Sequence, residues 1–291
     1  MAEALAELEV LPPVVDGDGR GRVPSRLSAV APRRIPTALS IAGSDSGGGA
    51  GIQADLKAFA RVGVHGTTAI TAITAQNTVG VQDVEAISPR LIVAQVRAVA
   101  EDIGVDAVKI GMLGTAETVQ AVVEALALTG EAPVVIDPVM VAESGAVLLD
   151  REARLALVER LLPMTTVATP NIPEARELTG LGEESSQEEL ARAVLALGPK
   201  AVVVTGGHSE KLIDLFCDGE RLVEIPGERH PDGAAHGSGC THSSALAGFL
   251  ARGEQPLAAA RRARDIASEA VGAGLREIGA GPGPVNVLGL R

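Results

Sequence analysis

The chain contains no tryptophan and no tyrosine, and only 3 phenylalanines among its 291 residues. Its core is therefore expected to be built from Val, Leu, Ile and Ala. A ring-shaped ligand would be held by aliphatic, Met or backbone contacts rather than by aromatic stacking. Cysteine is also scarce. Cys217 and Cys240 are the only 2, fewer than a secreted disulfide framework in a chain this long would carry, so a reducing compartment is expected. No apolar run approaches the roughly 20 residues that cross a bilayer, and the N-terminus lacks the basic-then-apolar order of a secretory signal. The expected location is cytoplasmic, with no membrane partner.

Positive charge is the third shortage. Lys and Arg number 25 against 37 Asp and Glu, a formal charge of −12. That balance opposes a broad phosphate-backbone footprint, which needs clustered cations, so nucleic acid is not an expected partner. The histidines, His65, His208, His230, His236 and His242, show no paired ligand spacing, and structural zinc is not expected.

With 46% hydrophobic residues, the chain can fill one large core. Residues 1–36 mix Pro, Gly and charges without periodicity and are expected to form a mobile tail. From Thr37 onward, short apolar runs at 37–43, 66–73, 105–110, 133–137, 166–169 and 201–205 alternate with segments of helical period. This is the pattern of strand–helix units around a parallel sheet. Ile52, Leu56, Phe59 and Val62 share one helical face, as do Ile92, Val96, Val99 and Ile103. Segments 212–217 and 220–225 flank Asp218-Gly219 and predict an antiparallel hairpin edge; two helices, near 239–252 and 256–274, close the chain.

A glycine-rich turn, Ala235-His236-Gly237-Ser238-Gly239-Cys240-Thr241, runs directly into a helical segment. Unpaired N–H groups and the positive end of the helix dipole suit such a turn to a phosphate. The same field is expected to lower the Cys240 thiol pKa and make it a base or polar partner. A plain helix entry with a small buried Cys fits the pattern equally well. A second cluster, Gly43-Ser44-Asp45-Ser46-Gly47-Gly48-Gly49-Ala50-Gly51, lacks both the Walker ending and the dinucleotide spacing. Its glycines are read as allowing backbone to approach a substrate.

Asp55, one turn beyond Gly51, and Gln76, after the second strand, are candidates to face a pocket. The Gln76 amide offers a donor and an acceptor side by side, which matches an aminopyrimidine edge. Met112 and Asp137 fall at the carboxyl ends of neighbouring strands, where ligands of open α/β sheets collect. Asn171 and Glu174 follow a strand where a helix starts. With Asp137 they can organise a hydrated Mg²⁺, or they can simply cap that helix.

Six segments together resemble the hydroxymethylpyrimidine/phosphomethylpyrimidine kinases of thiamine biosynthesis. They are Ala42 to Lys57, Thr74 to Thr78, Lys109 to Leu113, Asp137 to Met140, Thr169 to Ala175 and His236 to Thr241, in order across about residues 37–288. The resemblance implies a ribokinase-like three-layer α/β/α domain over 37–291 with a mostly parallel central sheet. It implies MgATP-dependent phosphorylation of a hydroxymethylpyrimidine and then of its monophosphate, in a homodimer. By motif, Gln76, Asp55, Met112 and Gly43 would bind the pyrimidine, and Gly237, Ser238, Gly239 and Cys240 would form the anion hole. Asn171, Thr205 and Gly207 would contact nucleotide, and Asp137 and Glu174 would contact Mg²⁺. Glu143 and Thr205 stand where the family often has Lys, and Ala235 and His242 where it usually has Thr and Leu. A pyridoxal kinase of the same fold and a pyrimidine sensor without catalysis are the alternatives.

Overall fold

Alternation along the apolar runs sets the architecture. Among the described residues the ten strands are β1 (Thr37–Ala42), β2 (His65–Ile70), β3 (Ala72–Gln76), β4 (Val81–Ala86), β5 (Ala107–Ile110), β6 (Val134–Ile136), β7 (Val167–Ala168), β8 (Ala201–Val204), β9 (Ile213–Cys217) and β10 (Leu222–Pro226). Eight of them form one sheet in the order β10-β9-β8-β7-β6-β5-β1-β2. Strands β1, β2 and β5 to β8 are parallel, and β9 and β10 run antiparallel at one edge. The computed structural model describes residues 35–141, 145, 148–207 and 212–291. Apart from Ile35 and Pro36, the expected tail lies outside the described residues, as do Glu143 and His208.

The helices are α1 (Gly51–Arg61), α2 (Pro89–Asp102), α3 (Ala116–Leu126), α4 (Arg151–Ala156), α5 (Ile172–Thr179), α6 (Gln187–Ala196), α7 (Ser238–Ala251) and α8 (Pro256–Gly272). Successive strand residues point to opposite faces. Leu39, Ile41, Val108, Ile110, Val134 and Ile136 pack under α2 to α6. Ala38, Ala107, Val135, Val203 and Phe216 pack under α1, α7 and α8. Helices therefore cover both faces of the sheet, giving three α/β/α layers.

Two sequence expectations are corrected by this arrangement. The run 66–73 is not one strand: the chain leaves the sheet at Thr71, whose N–H donates to the Ala42 carbonyl and whose hydroxyl donates to that of Met112. Ala72–Gln76 then pairs with β4 in a separate two-stranded ribbon. Apolar pairs, Ala69-Ile70 and Ala72-Ile73, stand on both sides of Thr71, so pattern alone hides the switch between sheets. In α1, Leu56 is 36% exposed while Asp55 is 0% exposed, so the buried stripe passes through a carboxylate instead of the leucine.

Candidate active site

Each motif ends at the same edge of the sheet. A cavity of about 480 Å³ opens beyond the carboxyl ends of β1, β5, β6 and β7, lined by Gly43, Gln76 and Met112 on one side. Asp137, Asn171, Glu174 and Thr205 line the other, with Gly237, Ser238, Gly239 and Cys240 at its floor. A larger groove of about 1240 Å³ between α2, α3 and α4 is lined by alternating Arg, Glu and small residues and carries none of the motif residues.

The glycine turn is fixed by its neighbour. Gly237 adopts φ +83°, a left-handed value, and a β-carbon there would lie 1.8 Å from the Gly49 carbonyl oxygen. Only glycine lets the two glycine-rich loops touch. A hydrogen bond between His236 Nε2 and Asp45 Oδ2 at 3.3 Å joins the same loops. Asp45 also accepts the N–H groups of Gly47, Gly49 and Ala50 at 2.8 to 2.9 Å. Burial alone would raise the Asp45 pKa, but the His236 bond and these N–H groups hold it below the usual value.

At the start of α7, the Ser238 and Thr241 N–H groups donate to the carbonyls of Ala235 and Gly237. The Gly239 and Cys240 N–H groups remain as the donors of the first turn. Gly239 faces Asp137: a β-carbon on it would stand 3.8 Å from Asp137 Oδ2. Asp137 is itself oriented by the Ser243 hydroxyl, which donates to Oδ2 at 3.0 Å.

The structure corrects the expectations for Asp55 and for Cys240. Asp55 does not line the cavity; it lies beneath it, fully buried. Its Oδ1 takes Lys109 Nζ at 2.8 Å and the Ser244 hydroxyl at 2.6 Å, and its Oδ2 takes the Ser40 hydroxyl at 2.5 Å. Ser40 and Lys109 are register partners on β1 and β5, so their side chains leave the same face of the sheet and meet α1 and α7 there. Sequence reasoning gives Lys109 no role, although a Lys inside the apolar run Ala107–Ile110 is an available signal.

Lys109 reaches the cavity wall. Burial would lower its pKa, yet the charges of Asp55 and Asp137 and the Asp55 hydrogen bond raise it, so it stays protonated. The Cys240 thiol is not activated. Burial pushes its pKa up to about 12, against the pull of Lys109 and of the Gly51 N–H that donates to its sulfur. It is a neutral thiol at the mouth of the turn, because packing outweighs the helix dipole.

Asn171 and Glu174 form a reciprocal cap on α5: Asn171 Oδ1 accepts the Glu174 N–H at 2.8 Å and Glu174 Oε2 accepts the Asn171 N–H at 2.9 Å. Thr205 sits beside them, bridged to Asn171. Gly207 is exposed and lies outside the cavity lining. Burial raises the Asp137 pKa, against Lys109 and Ser243. The Glu174 pKa rises from 4.5 to about 8, through burial first and then the charge of Asp137.

The folded state thus holds the Glu174 proton more tightly than the unfolded chain does. The stability it contributes is complete below about pH 4.5 and is lost as pH rises to about 8. The urea midpoint is therefore expected to decline across this interval. Glu174→Gln, which keeps the cap acceptor without the charge, should flatten that decline; an equally steep decline in the variant would remove Glu174 as its source.

A mostly parallel sheet covered by helices on both faces, with an antiparallel edge, and a glycine turn at a helix N-terminus facing a carboxylate across the strand ends, define a ribokinase-like phosphotransferase. The chain belongs to the phosphomethylpyrimidine kinase family, whose sequence model matches residues 45–286. It is 49% identical over 255 residues to the hydroxymethylpyrimidine/phosphomethylpyrimidine kinase of Rhizobium meliloti, covering 86% of this chain and 96% of that protein. The Haemophilus influenzae enzyme of the same name is 45% identical over 261 residues, covering 87% and 96%.

Among solved structures, phosphomethylpyrimidine kinase from Clostridium difficile superposes with TM-score 0.72 at 40% identity, over 81% of this chain and 99% of that one. Pyridoxal kinase from Staphylococcus aureus in complex with AMP-PCP and pyridoxal gives 0.79 at 32% identity, over 87% and 93%. Among the described residues no helix is long and apolar enough to cross a membrane.

Proposed function

We propose that the chain transfers the γ-phosphoryl group of ATP to the hydroxymethyl group of an aminopyrimidine and then to the resulting monophosphate, as a cytoplasmic homodimer. The observation that carries this reading is the convergence of the Gly237–Cys240 turn, Asp137 and the Gln76/Met112 wall on one cavity. Gln76 is held through both of its backbone groups. Its N–H donates to Ser46 Oγ at 2.7 Å and its carbonyl accepts the Ser46 hydroxyl at 2.6 Å. Its amide Oε1 accepts the Thr74 hydroxyl at 3.3 Å, which orients the amide and leaves a second lone pair and the NH₂ to read the donor and acceptor edge of a pyrimidine. Met112 and Gly43 form the apolar side on which such a ring would rest.

The Gly239 and Cys240 N–H groups, with Lys109 behind them, would stabilise charge on the transferring group. Phosphoryl transfer depends more on such positioning than on a strong base, which suits a neutral thiol. Asn171 and Thr205 would flank the nucleotide phosphates. Among the described residues no three His, Cys, Asp or Glu groups are placed to hold a metal alone. Asp137 and Glu174 nonetheless fit Mg²⁺, which binds through one or two carboxylates together with substrate phosphates: after burial, the charge of Asp137 is what raises the Glu174 pKa, so the two carboxyls are near neighbours. Mg²⁺ bound there would neutralise phosphate charge.

The test is ADP release from MgATP with hydroxymethylpyrimidine, its monophosphate and pyridoxal offered separately. Turnover on the first two is expected; turnover on pyridoxal alone would assign the other kinase activity, and none on any would favour a sensor. Cys240→Ala should lower kcat about tenfold, the effect of losing a polar contact at the reacting group. Unchanged kcat would take Cys240 out of the chemistry.

A further inference from the structure

Asp45 and His236 both line the cavity, yet the kinase reading gives neither a role, and they belong to different halves of the wall. Residues 43–51 are stitched to β3. The Ser44 N–H donates to the Ala72 carbonyl at 2.9 Å, the Thr74 N–H donates to Ser44 Oγ at 3.2 Å, and Ser46 holds both backbone groups of Gln76. This loop therefore moves with the amide that reads the pyrimidine. The 237–240 turn is carried by α7 instead, whose Ser243 is bonded to Asp137.

The two halves meet along one seam. There the Gly49 and Gly237 backbones touch, and the His236 ring lies so close over Gly49 that no β-carbon fits between them. His236 is anchored from behind, since its carbonyl accepts the Val285 N–H at 3.0 Å. Its Nε2 reaches across to Asp45 Oδ2 at 3.3 Å. Asp45 is 1% exposed and takes the Gly47, Gly49 and Ala50 N–H groups as well, so it templates the loop. An ionised carboxylate only accepts, so Nε2 is the donor.

Transfer needs the acceptor oxygen and the phosphoryl group within about 3–3.5 Å and in line. In this cavity the first is placed by the loop and Gln76, the second by the turn, and the seam sets the gap between them. We propose that Asp45 and His236 are a positioning pair for phosphoryl transfer, fixing that gap without touching either reactant, an assignment that rests on the kinase reading above.

The test is steady-state ADP release with hydroxymethylpyrimidine and MgATP, beside calorimetric binding of hydroxymethylpyrimidine, for the wild type, His236→Met, His236→Gln, Asp45→Asn and the double variant Asp45→Asn/His236→Met. His236→Met keeps bulk over Gly49 without the donor. It should lower kcat about ten- to a hundredfold, the effect of slightly misplaced reacting groups, with both KM values and pyrimidine binding within about twofold of wild type. His236→Gln, whose amide N–H can reach the place of Nε2, should restore kcat to within about threefold. Once Asp45→Asn has been made, adding His236→Met should cost less than about a further twofold, because the two act through one contact.

A kcat for His236→Met within about twofold of wild type overturns the proposal, as does a raised KM at unchanged kcat, which would make His236 a substrate contact. Independent, multiplying losses in the double variant, or no recovery in His236→Gln, overturn it as well. Should His236→Met lose its native circular dichroism, His236→Asn, whose amide stops short of Asp45, carries the same expectations. A wild type with no turnover on hydroxymethylpyrimidine overturns the kinase reading and the pair with it.

Discussion

Lys109→Met is expected to lower stability by about 3–5 kcal/mol and to cut kcat by more than about a hundredfold. Both effects come from one buried pair. Lys109 and Asp55 are each 0% exposed and 2.8 Å apart, so bulk solvent does not screen them. Removing the ammonium leaves Asp55 with two hydroxyl donors, from Ser40 and Ser244, and an uncompensated charge. Asp137, which also feels Lys109, loses the cation that offsets it.

Urea denaturation of Lys109→Met, Asp55→Asn and the double variant separates the two roles. The double variant should recover much of the stability, because no lone charge is left buried, but not the turnover. Recovery of turnover together with stability would make Lys109 a purely structural group.

Gly237→Ala is expected to lower kcat/KM by about a hundred- to a thousandfold, the cost of losing a preorganised donor site for the transferring group. At φ +83° an alanine is strained, and its β-carbon would overlap the Gly49 carbonyl oxygen at 1.8 Å. Relief requires the two glycine-rich loops to part, which moves the Gly239 and Cys240 N–H groups away from Asp137. The core beneath, with Ala245, Leu246 and Phe249 of α7 buried, should hold the fold. Circular dichroism should therefore stay native while steady-state kinetics collapse; activity within about twofold of wild type would mean that this turn does not hold the phosphoryl group.

Much of the fold can be read from local pattern. The strands at 37–42, 107–110, 134–136 and 201–204 lie inside the predicted runs. The hairpin at Asp218-Gly219 forms where the turn signal stands, with Gly219 at φ +89°. The glycine turn before α7 and the reciprocal cap of Asn171 and Glu174 are likewise visible, because each depends on residues within a few positions of one another.

The expectations that fail are those decided at long range. Helical period puts Leu56 inside and Asp55 outside, but a Lys 54 positions away reverses the two, since a buried ammonium needs a carboxylate more than the helix needs one more leucine. The dipole of α7 favours an acidic thiol at Cys240, and the packing around it favours a neutral one more strongly.

By itself, then, the sequence determined the layered α/β architecture, the position of the phosphate-sized turn and the family, because periodicity, turn chemistry and motif order are written along the chain. Only the tertiary structure decided which charges are buried, which are paired and which protons are held. Those depend on desolvation and on partners tens to hundreds of residues apart: Ser244 on Asp55, Ser243 on Asp137, His236 on Asp45.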